Sequence, residues 1–519
     1  MFDVFSEISI LDQAKTRTSD RGKAMTRTAQ ATKRQAVFQG AWQATLGSVG
    51  RTAAALLTSL VVACAGQPTA PSTPSLVSDN SAALPGVTSQ RLTPEYWIAR
   101  LHSPDAMVLD AEAIAARNHR LVADDPSVFD LSALPDQLRG SEVRERILRL
   151  SSPPQRTLFD QHGVALTPDA LHALDASLAL DAIEDPVPLR FGLVTRRADL
   201  RSFPTAQRVF SRAGDSDIDR FQESALFPGT PVAVLHASAD GQWLFVVSAL
   251  YAAWIQADQL ALGSRQEVFA YTHCEPCVVV TGAKVSTVYS PEAPQVSNLL
   301  LDMGVRVPLI ADWPVSQLVN GQLPYASHVV ALPIRGRDGA LQIVPALLPR
   351  SADVSANYLP LTRANLIRQA FKFLGERYGW GHSYGTRDCS GFVSEVYRSF
   401  GVTLPRNTRD QGVTTAFDRI VLDDTLDHAA RVEIMRNLDV GDLIYIPGHV
   451  MMVIGHDAGE TWLIHDTTGT HVRNAAGSLV SVPINQVAVT PLFALLGDSG
   501  TPYIDFAYSV QRIRLVDHP

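Results

Sequence analysis

Tyr378-Gly-Trp-Gly-His-Ser-Tyr-Gly-Thr-Arg-Asp388-Cys389-Ser390-Gly391-Phe392 is a run of glycines and aromatics that gives way to Phe392, Val393, Val396, Tyr397 and Phe400 at helical spacing. That change of pattern predicts a helix beginning at Cys389. At a helix start the unpaired amides and the positive end of the dipole favour a thiolate, and the same amides can receive an oxyanion. A cysteine that only filled the core would sit further along, on the apolar face. Cys389 is therefore read as a nucleophile.

A thiol nucleophile needs a base within hydrogen-bond reach. Downstream, Gly441-Asp442-Leu-Ile-Tyr-Ile-Pro447-Gly448 leads into His449-Val-Met-Met-Val-Ile-Gly455, a turn at Asp457-Ala-Gly459, and Thr461-Trp-Leu-Ile-His465-Asp466. A turn centred on residue 457 sets His449 directly opposite His465, and cross-strand partners on one face have Cβ atoms about 5 Å apart. His449 is read as the base and His465 as the residue that orients it, against the plainer alternatives of a surface histidine and a strand-end polar residue. His456 falls in the turn and is expected to be solvated. Upstream, Leu366, Ile367, Ala370, Phe371 and Leu374 share one helical face that ends at Gly375. Helices followed by strands over residues 357–519 predict an α+β domain.

With its D-C-S-G-F helix start (Asp388 to Phe392) and G-H-V strand start (Gly448 to Val450), this domain resembles the NlpC-type cysteine peptidases, papain-like bacterial cell-wall hydrolases. The resemblance implies a papain-like α+β fold and a catalytic set of Cys389, His449 and His465. It further implies that Tyr378 lines the site near the oxyanion and that Asp388 and Ser390 contact the free amine of a substrate and flank the nucleophile. Arg406 and Arg409 follow the nucleophile helix; they could meet a peptide carboxylate, or form salt bridges.

Ahead of the peptidase-like domain the pattern is short and β-like. Val232 to Leu235, Trp243 to Val247 and Ala252 to Ile255 flank a turn at Asp240-Gly241, and His328 to Leu332 and Ala340 to Val344 flank another at Asp338-Gly339. Asp-Gly between apolar alternations signals a hairpin. Two small β modules are expected, at 186–264 and 265–350, the first resembling bacterial SH3-like modules through its Ala253-Trp254 step. Residues 91–185 read as a mostly helical segment, with Ser103-Pro104-Asp105 expected to cap a helix carrying Met107, Leu109, Ala113 and Ile114. This order of segments also resembles the multidomain branch of the family, which cuts γ-D-glutamyl-L-diamino acid bonds in peptidoglycan stem peptides. In that branch the first SH3-like module walls the cleft and selects a free N-terminal L-alanine. Glu223 and Tyr251 are the wall residues this resemblance implies here; a solvated acid and a packed strand aromatic are the plainer readings.

Thr52 to Ala63 is an uncharged, mostly apolar run preceded by Arg27, Lys33, Arg34 and Arg51 and followed by Cys64. It is short for a bilayer span and suits a secretory signal. Leu60-Val61-Val62-Ala63-Cys64 resembles a bacterial lipobox, so residues 1–64 are expected to be signal and lipobox, with Met25 as an alternative start and Cys64 lipidated. A Pro-, Ser- and Thr-rich disordered tether is expected over 65–90. Ala65 after Cys64, where an aspartate would retain a lipoprotein at the inner membrane, favours an exported lipoprotein facing the periplasm from the outer membrane.

The 519 residues exceed one hydrophobic core, and the 46% hydrophobic and 18% charged composition describes a multidomain globular chain. A formal charge of −8 without a basic stripe excludes nucleic acid as a partner. His273-Cys274-Glu275-Pro276-Cys277 is at most half a zinc site; a local disulfide or an inert thiol pair remain open. No cofactor or metal is expected, and a monomer is. The function expected is a γ-D-glutamyl-L-diamino acid endopeptidase. The alternatives are an amidase or acyltransferase on the same scaffold, or a non-catalytic wall-binding lipoprotein.

Overall fold

The structure, a computed structural model, describes residues 84–273 and 275–514. Cys64, the signal segment, most of the tether and Cys274 lie outside the described residues.

Four helices, Pro94–Ile98, Ala111–Asp124, Gly140–Leu150 and Pro168–Ser177, make up most of the regular structure in the N-terminal part of the described chain. The expected helix from Ser103 is a correction. Met107–Leu109 is a strand that pairs with Leu361–Thr362, and the helix starts at Ala111, where the Asp110 carboxylate accepts from the Ala113 amide at 2.8 Å. A side-chain acceptor at Asp110 satisfies an orphan amide that Ser103 does not, and the distant strand takes up the three residues between.

Among the described residues the first β module is a seven-stranded antiparallel sheet. Its strand order is Leu260–Gly263, Arg190–Val194, Pro231–Ala237, Trp243–Val247, Ala252–Gln256, Ala198–Arg201 and Gln222–Leu226. Phe245 faces Trp254 in register, and both are fully buried. The Trp254 indole donates to Ser151 Oγ at 3.1 Å, which ties the helical segment to the module's core. The second module begins after a helix, Arg265–Thr272, and carries the hairpin Ser327–Arg335 with Leu341–Pro349, plus a three-stranded sheet that includes Cys277–Val280 and reaches Val354–Ser355. Cys277 is a free, buried thiol that accepts from Arg306 Nε at 2.8 Å.

The C-terminal part places helix Arg363–Phe371 and helix Cys389–Arg398 against a six-stranded antiparallel sheet among the described residues. The inner strands of that sheet are Ser509–Arg512, Leu443–Ile446, His449–Asp457 and Glu460–Arg473, with Asp418–Val421 and Leu479–Pro491 at its edges. Phe392, Val393, Val396 and Tyr397 are buried, so the apolar face read from the sequence is the face that meets the sheet. The N-terminal segment braces the central hairpin. Arg91 and Tyr96 bind Asp457 at its tip, and Trp97 lies 5.6 Å from Trp462, ring to ring, and against Gly455.

Candidate functional site

Cys389 is the first residue of its helix, and Asp388 is the N-cap. Asp388 Oδ1 accepts from the Gly391 amide at 2.7 Å and from Ser390 Oγ at 3.0 Å, and Oδ2 accepts from the Gly381 amide at 3.0 Å. Gly391 has to be glycine, because a Cβ there would come within 2.5 Å of the His382 ring. The cysteine Sγ lies 3.7 Å from Thr408 Oγ1 and 4.0 Å from the Gly448 carbonyl, with the Val450 amide also directed at it, so the two residues flanking His449 bracket the thiol. Burial and the Asp388 charge push the thiol up to about 12. The helix start was expected to favour a thiolate; in the resting protein the loss of water outweighs the dipole, and the sulfur is a thiol.

His449 Nε2 sits 2.7 Å from His465 Nδ1, and His465 Nε2 sits 2.9 Å from Thr490 Oγ1. His465 and Thr490 are completely buried, while His449 keeps an edge at the surface. Burial lowers His449 to about 4 and His465 well below the usual imidazole value. Both rings are neutral. A single proton lies between the facing nitrogens, and with it on His449 Nε2 the other nitrogen, Nδ1, is left as a base.

The direct opposition of His449 and His465 is corrected. The turn falls at Ala458-Gly459, between Asp457 and Glu460, and a bulge between Val453 and Gly455 shifts the register so that Met452 faces Ile464. Continued by one step, that register sets His465 against Met451, so the histidines meet diagonally, a relation still within reach of long side chains. His456 is exposed, as expected, but lies on the strand and has its Nε2 2.7 Å from the Leu438 carbonyl.

The first β module reaches this site through Arg406. Its guanidinium donates to Asp388 Oδ2 at 2.8 Å, Ser390 Oγ at 2.8 Å and Ser224 Oγ at 2.6 Å, the last on a strand of the module. Burial alone would raise the Asp388 carboxyl, but the Arg406 charge and the amide donors hold it down at about 2. Asp388 is thus a permanently ionised group whose oxygens are engaged within the protein. Arg409 is not part of this clasp.

Glu223 and Tyr251 do come together: the tyrosine hydroxyl donates to Glu223 Oε2 at 2.5 Å. Burial raises the Glu223 carboxyl, and among the described residues it forms no salt bridge. Tyr378 is buried, and burial, before its interactions with the neighbouring Cys389 and Asp388, raises its phenol well above the usual value, so it stands close to the nucleophile.

Sequence reasoning did not find three participants. His382 bridges Arg406 and Glu395, with Nδ1 3.1 Å from Arg406 Nη2 and Nε2 3.2 Å from Glu395 Oε1. Thr408 touches the sulfur and Thr490 ends the histidine chain. Thr408 and Thr490 are single hydroxyls in unremarkable local sequence, with no signal to find; a histidine inside the glycine-rich run of residues 379–385 was visible and carried a hint. A concavity of about 580 Å³ lined by Arg190, Phe191, Arg265 and Glu267 shares no residue with this site. No cluster of three or more His, Cys, Asp or Glu side chains suited to a metal ion occurs among the described residues.

Residues 375–488 match the NlpC/P60 family, and residues 208–256 match the SH3 domain of SH3b1 type. The chain is 26% identical over 247 residues to a gamma-D-glutamyl-L-lysine dipeptidyl-peptidase of Bacillus cereus (strain ATCC 10987 / NRS 248), a match covering 45% of this chain and 60% of that protein's length. A probable endopeptidase p60 of Listeria seeligeri is 45% identical over 51 residues, 10% of each chain. Among solved structures, an NlpC/P60 endopeptidase from Photobacterium damselae subsp. piscicida shares the fold with a TM-score of 0.64 at 15% identity, covering 80% of this chain and 96% of that one.

Proposed function

We infer, from an NlpC/P60 domain that follows an SH3b-type domain in this chain, that the protein is a cysteine peptidase acting on peptidoglycan stem peptides. The observation that carries this reading is the thiol of Cys389 at a helix start, bracketed by the flanks of a histidine whose far nitrogen is held by a second buried histidine. In the first step the thiol proton passes to His449 Nδ1 as Sγ bonds to the scissile carbonyl carbon, and the amides of the helix start receive the oxyanion. The C–N bond then breaks, and His449 returns the proton to the departing amine. Water adds to the thioester with its proton going to His449, the C–S bond breaks, and Cys389 leaves as the thiol with the acid released. No step calls for a cofactor. Because thiol and imidazole are both neutral at rest, the proton has to pass to His449 before or as the sulfur attacks.

The bond cut is the γ-D-glutamyl-L-diamino acid bond, and peptides with a free N-terminal L-alanine are preferred. Glu223 supports this: a largely desolvated acid that has a tyrosine donor and, among the described residues, no salt bridge, with Arg406 and Arg201 acting on it only at longer range, can receive an ammonium group. Asp388 then acts on the amine's surroundings through the clasp with Arg406, while Ser390 and Tyr378 line the same end. A charge-assisted hydrogen bond to a buried amine is worth about 1.5–3 kcal/mol, so N-acetylation should lower kcat/KM by about tenfold or more. Mass spectrometry of defined stem peptides with free and acetylated N-termini tests bond, end and reaction type together. Equal rates on both would remove the end selection, and a transferred rather than hydrolysed acyl group would favour an acyltransferase on this scaffold.

We also propose that the protein is exported and lipidated at Cys64, on the strength of the Leu60 to Cys64 run. Among the described residues no helix is long and apolar enough to cross a membrane. Fractionation of a Cys64→Ser variant tests the anchor, and unchanged membrane association would count against it.

A further inference from the structure

His382 occupies a backbone conformation that its residue type rarely adopts. Its φ is 64°, between Gly381 at 57° and, one residue on, Tyr384 at 60°. A non-glycine residue held in the left-handed region is kept there by its surroundings, and its side chain is the place to look for the reason. The ring is buried, lies edge-on to Phe227 of the first module with centroids 5.8 Å apart, and fills the space beside Gly391 in the first turn of the nucleophile helix. Its backbone is held as well: the His382 carbonyl accepts from Arg197 Nη2 at 3.1 Å, and the adjoining Gly381 carbonyl accepts from Gln222 Nε2 at 2.9 Å, both donors belonging to the first module.

The partners of the ring determine its protonation without ambiguity. An arginine only donates, so the nitrogen 3.1 Å from Arg406 Nη2 must be an acceptor; an ionised carboxylate only accepts, so the nitrogen 3.2 Å from Glu395 Oε1 must carry the proton. His382 is therefore the neutral Nε2–H form, in agreement with burial lowering it to about 4. Glu395 is fixed in turn by Arg387 at 2.7 Å, and Arg387 reaches Asp302 of the second module at 3.0 Å. The groups facing His382 are thus Arg406 and Asp388 on one edge and Glu395 with Arg387 on the other.

We propose that His382 is a positioning residue for the amine-selecting end of the cleft: it orients Arg406, and Arg406 holds the Asp388–Ser390 cap of the nucleophile helix in fixed relation to Ser224 and Glu223 of the first module. The inference rests on the reading of Glu223 as the ammonium receptor. Arg406 makes three hydrogen bonds to the cap and two to the module, to Ser224 Oγ and the Glu223 carbonyl; the contact with His382 sets the rotation that lets both be met at once. The histidine touches neither the cysteine nor the histidine relay, so its effect belongs to substrate end recognition rather than to acyl chemistry.

The test compares His382→Leu with His382→Gln in the full chain. Glutamine keeps one acceptor and one donor, whereas leucine keeps neither. For His382→Leu the expected result is a rise of about tenfold in KM for the free-amine peptide, loss of the preference over the N-acetylated peptide, and a rate of iodoacetamide reaction at Cys389 within about twofold of wild type. His382→Gln should restore the preference to within a few-fold. Amide hydrogen exchange at Gly381 and Gly391, both donors to Asp388, should speed up in the leucine variant and not in the glutamine variant. An unchanged preference with unchanged exchange in His382→Leu overturns the proposal, as does a fall in kcat alone. A wild-type protein that shows no preference, with the exchange difference still present, overturns the ammonium reading of Glu223 and leaves the clasp by His382 in place.

Discussion

Two buried polar clusters meet the start of the nucleophile helix, and they accommodate burial in opposite ways. Around Asp388 the groups are ionised: Arg406 clasps the carboxylate, and Glu395, Arg387 and Asp302 continue the network across both β modules. Around His449 the groups are neutral, two imidazoles ending on a threonine hydroxyl. In a low dielectric an ion pair with all its hydrogen bonds is rigid, and an isolated charge is costly. A frame that never changes protonation can be built of pairs; a relay that gains and loses a proton in each cycle cannot. The contrast separates the residues that hold the site from those that move a proton through it.

The comparison breaks most sharply by substitution on the two sides. Cys389→Ala should abolish hydrolysis of stem peptides while the melting temperature stays within a few degrees, since the change removes the nucleophile and little packing. His449→Ala should match it, and His465→Ala should keep some activity because an orienting group is partly replaceable. Retained turnover in Cys389→Ala would falsify the thiol mechanism. On the charged side, Arg406→Met leaves Asp388 buried and unpaired and should cost about 3–5 kcal/mol of stability, read by urea denaturation. A loss below 1 kcal/mol would mean that water replaces the guanidinium, and that the cap is no rigid frame.

Two smaller effects sharpen the contrast. With the Cys389 thiol at about 12, the rate of its alkylation by iodoacetamide should climb with pH from 7 to 9 by about tenfold per unit, with no plateau. A flat profile over that range would reveal a standing thiolate–imidazolium pair instead of a neutral one. The smallest effect is on stability in mild acid. His382 is held at about 4 and His465 well below the usual imidazole value, both below their value in the unfolded chain. The unfolded state therefore binds more protons between those values, and the stability these residues confer is present above about pH 6.5 and is lost as pH falls toward 4. Melting temperature measured from pH 7.5 to 4.5 should fall across that window, and less steeply in His382→Gln. A parallel decline in both proteins would assign the acid sensitivity to other groups.

Much of the site was legible because its signals are local. The switch from glycines and aromatics to helical spacing at Cys389 and the apolar run of Phe392, Val393 and Val396 act within the first turns of one helix, and the structure keeps both. The two hairpins with Asp-Gly turns formed where the alternation ended. The readings that changed are those that depend on a partner far along the chain. Met107–Leu109 looked helical until Leu361–Thr362 supplied a strand to pair with. The histidines looked directly opposed until the bulge at Gly455, packed under Trp97, moved the register.

Sequence alone therefore determined which residue types are present and what each is able to do: a thiol at a helix start, two histidines on adjacent strands, an acid in the first β module. Tertiary structure decided their charge. Whether Cys389 rests as thiol or thiolate, whether Asp388 faces a substrate or Arg406, and which cations act on Glu223 all depend on desolvation and on partners brought in from distant segments, as between Arg406 and Glu223, 183 residues apart in sequence. Those contributions are set by distance in space, and a linear spacing of residues does not contain that distance.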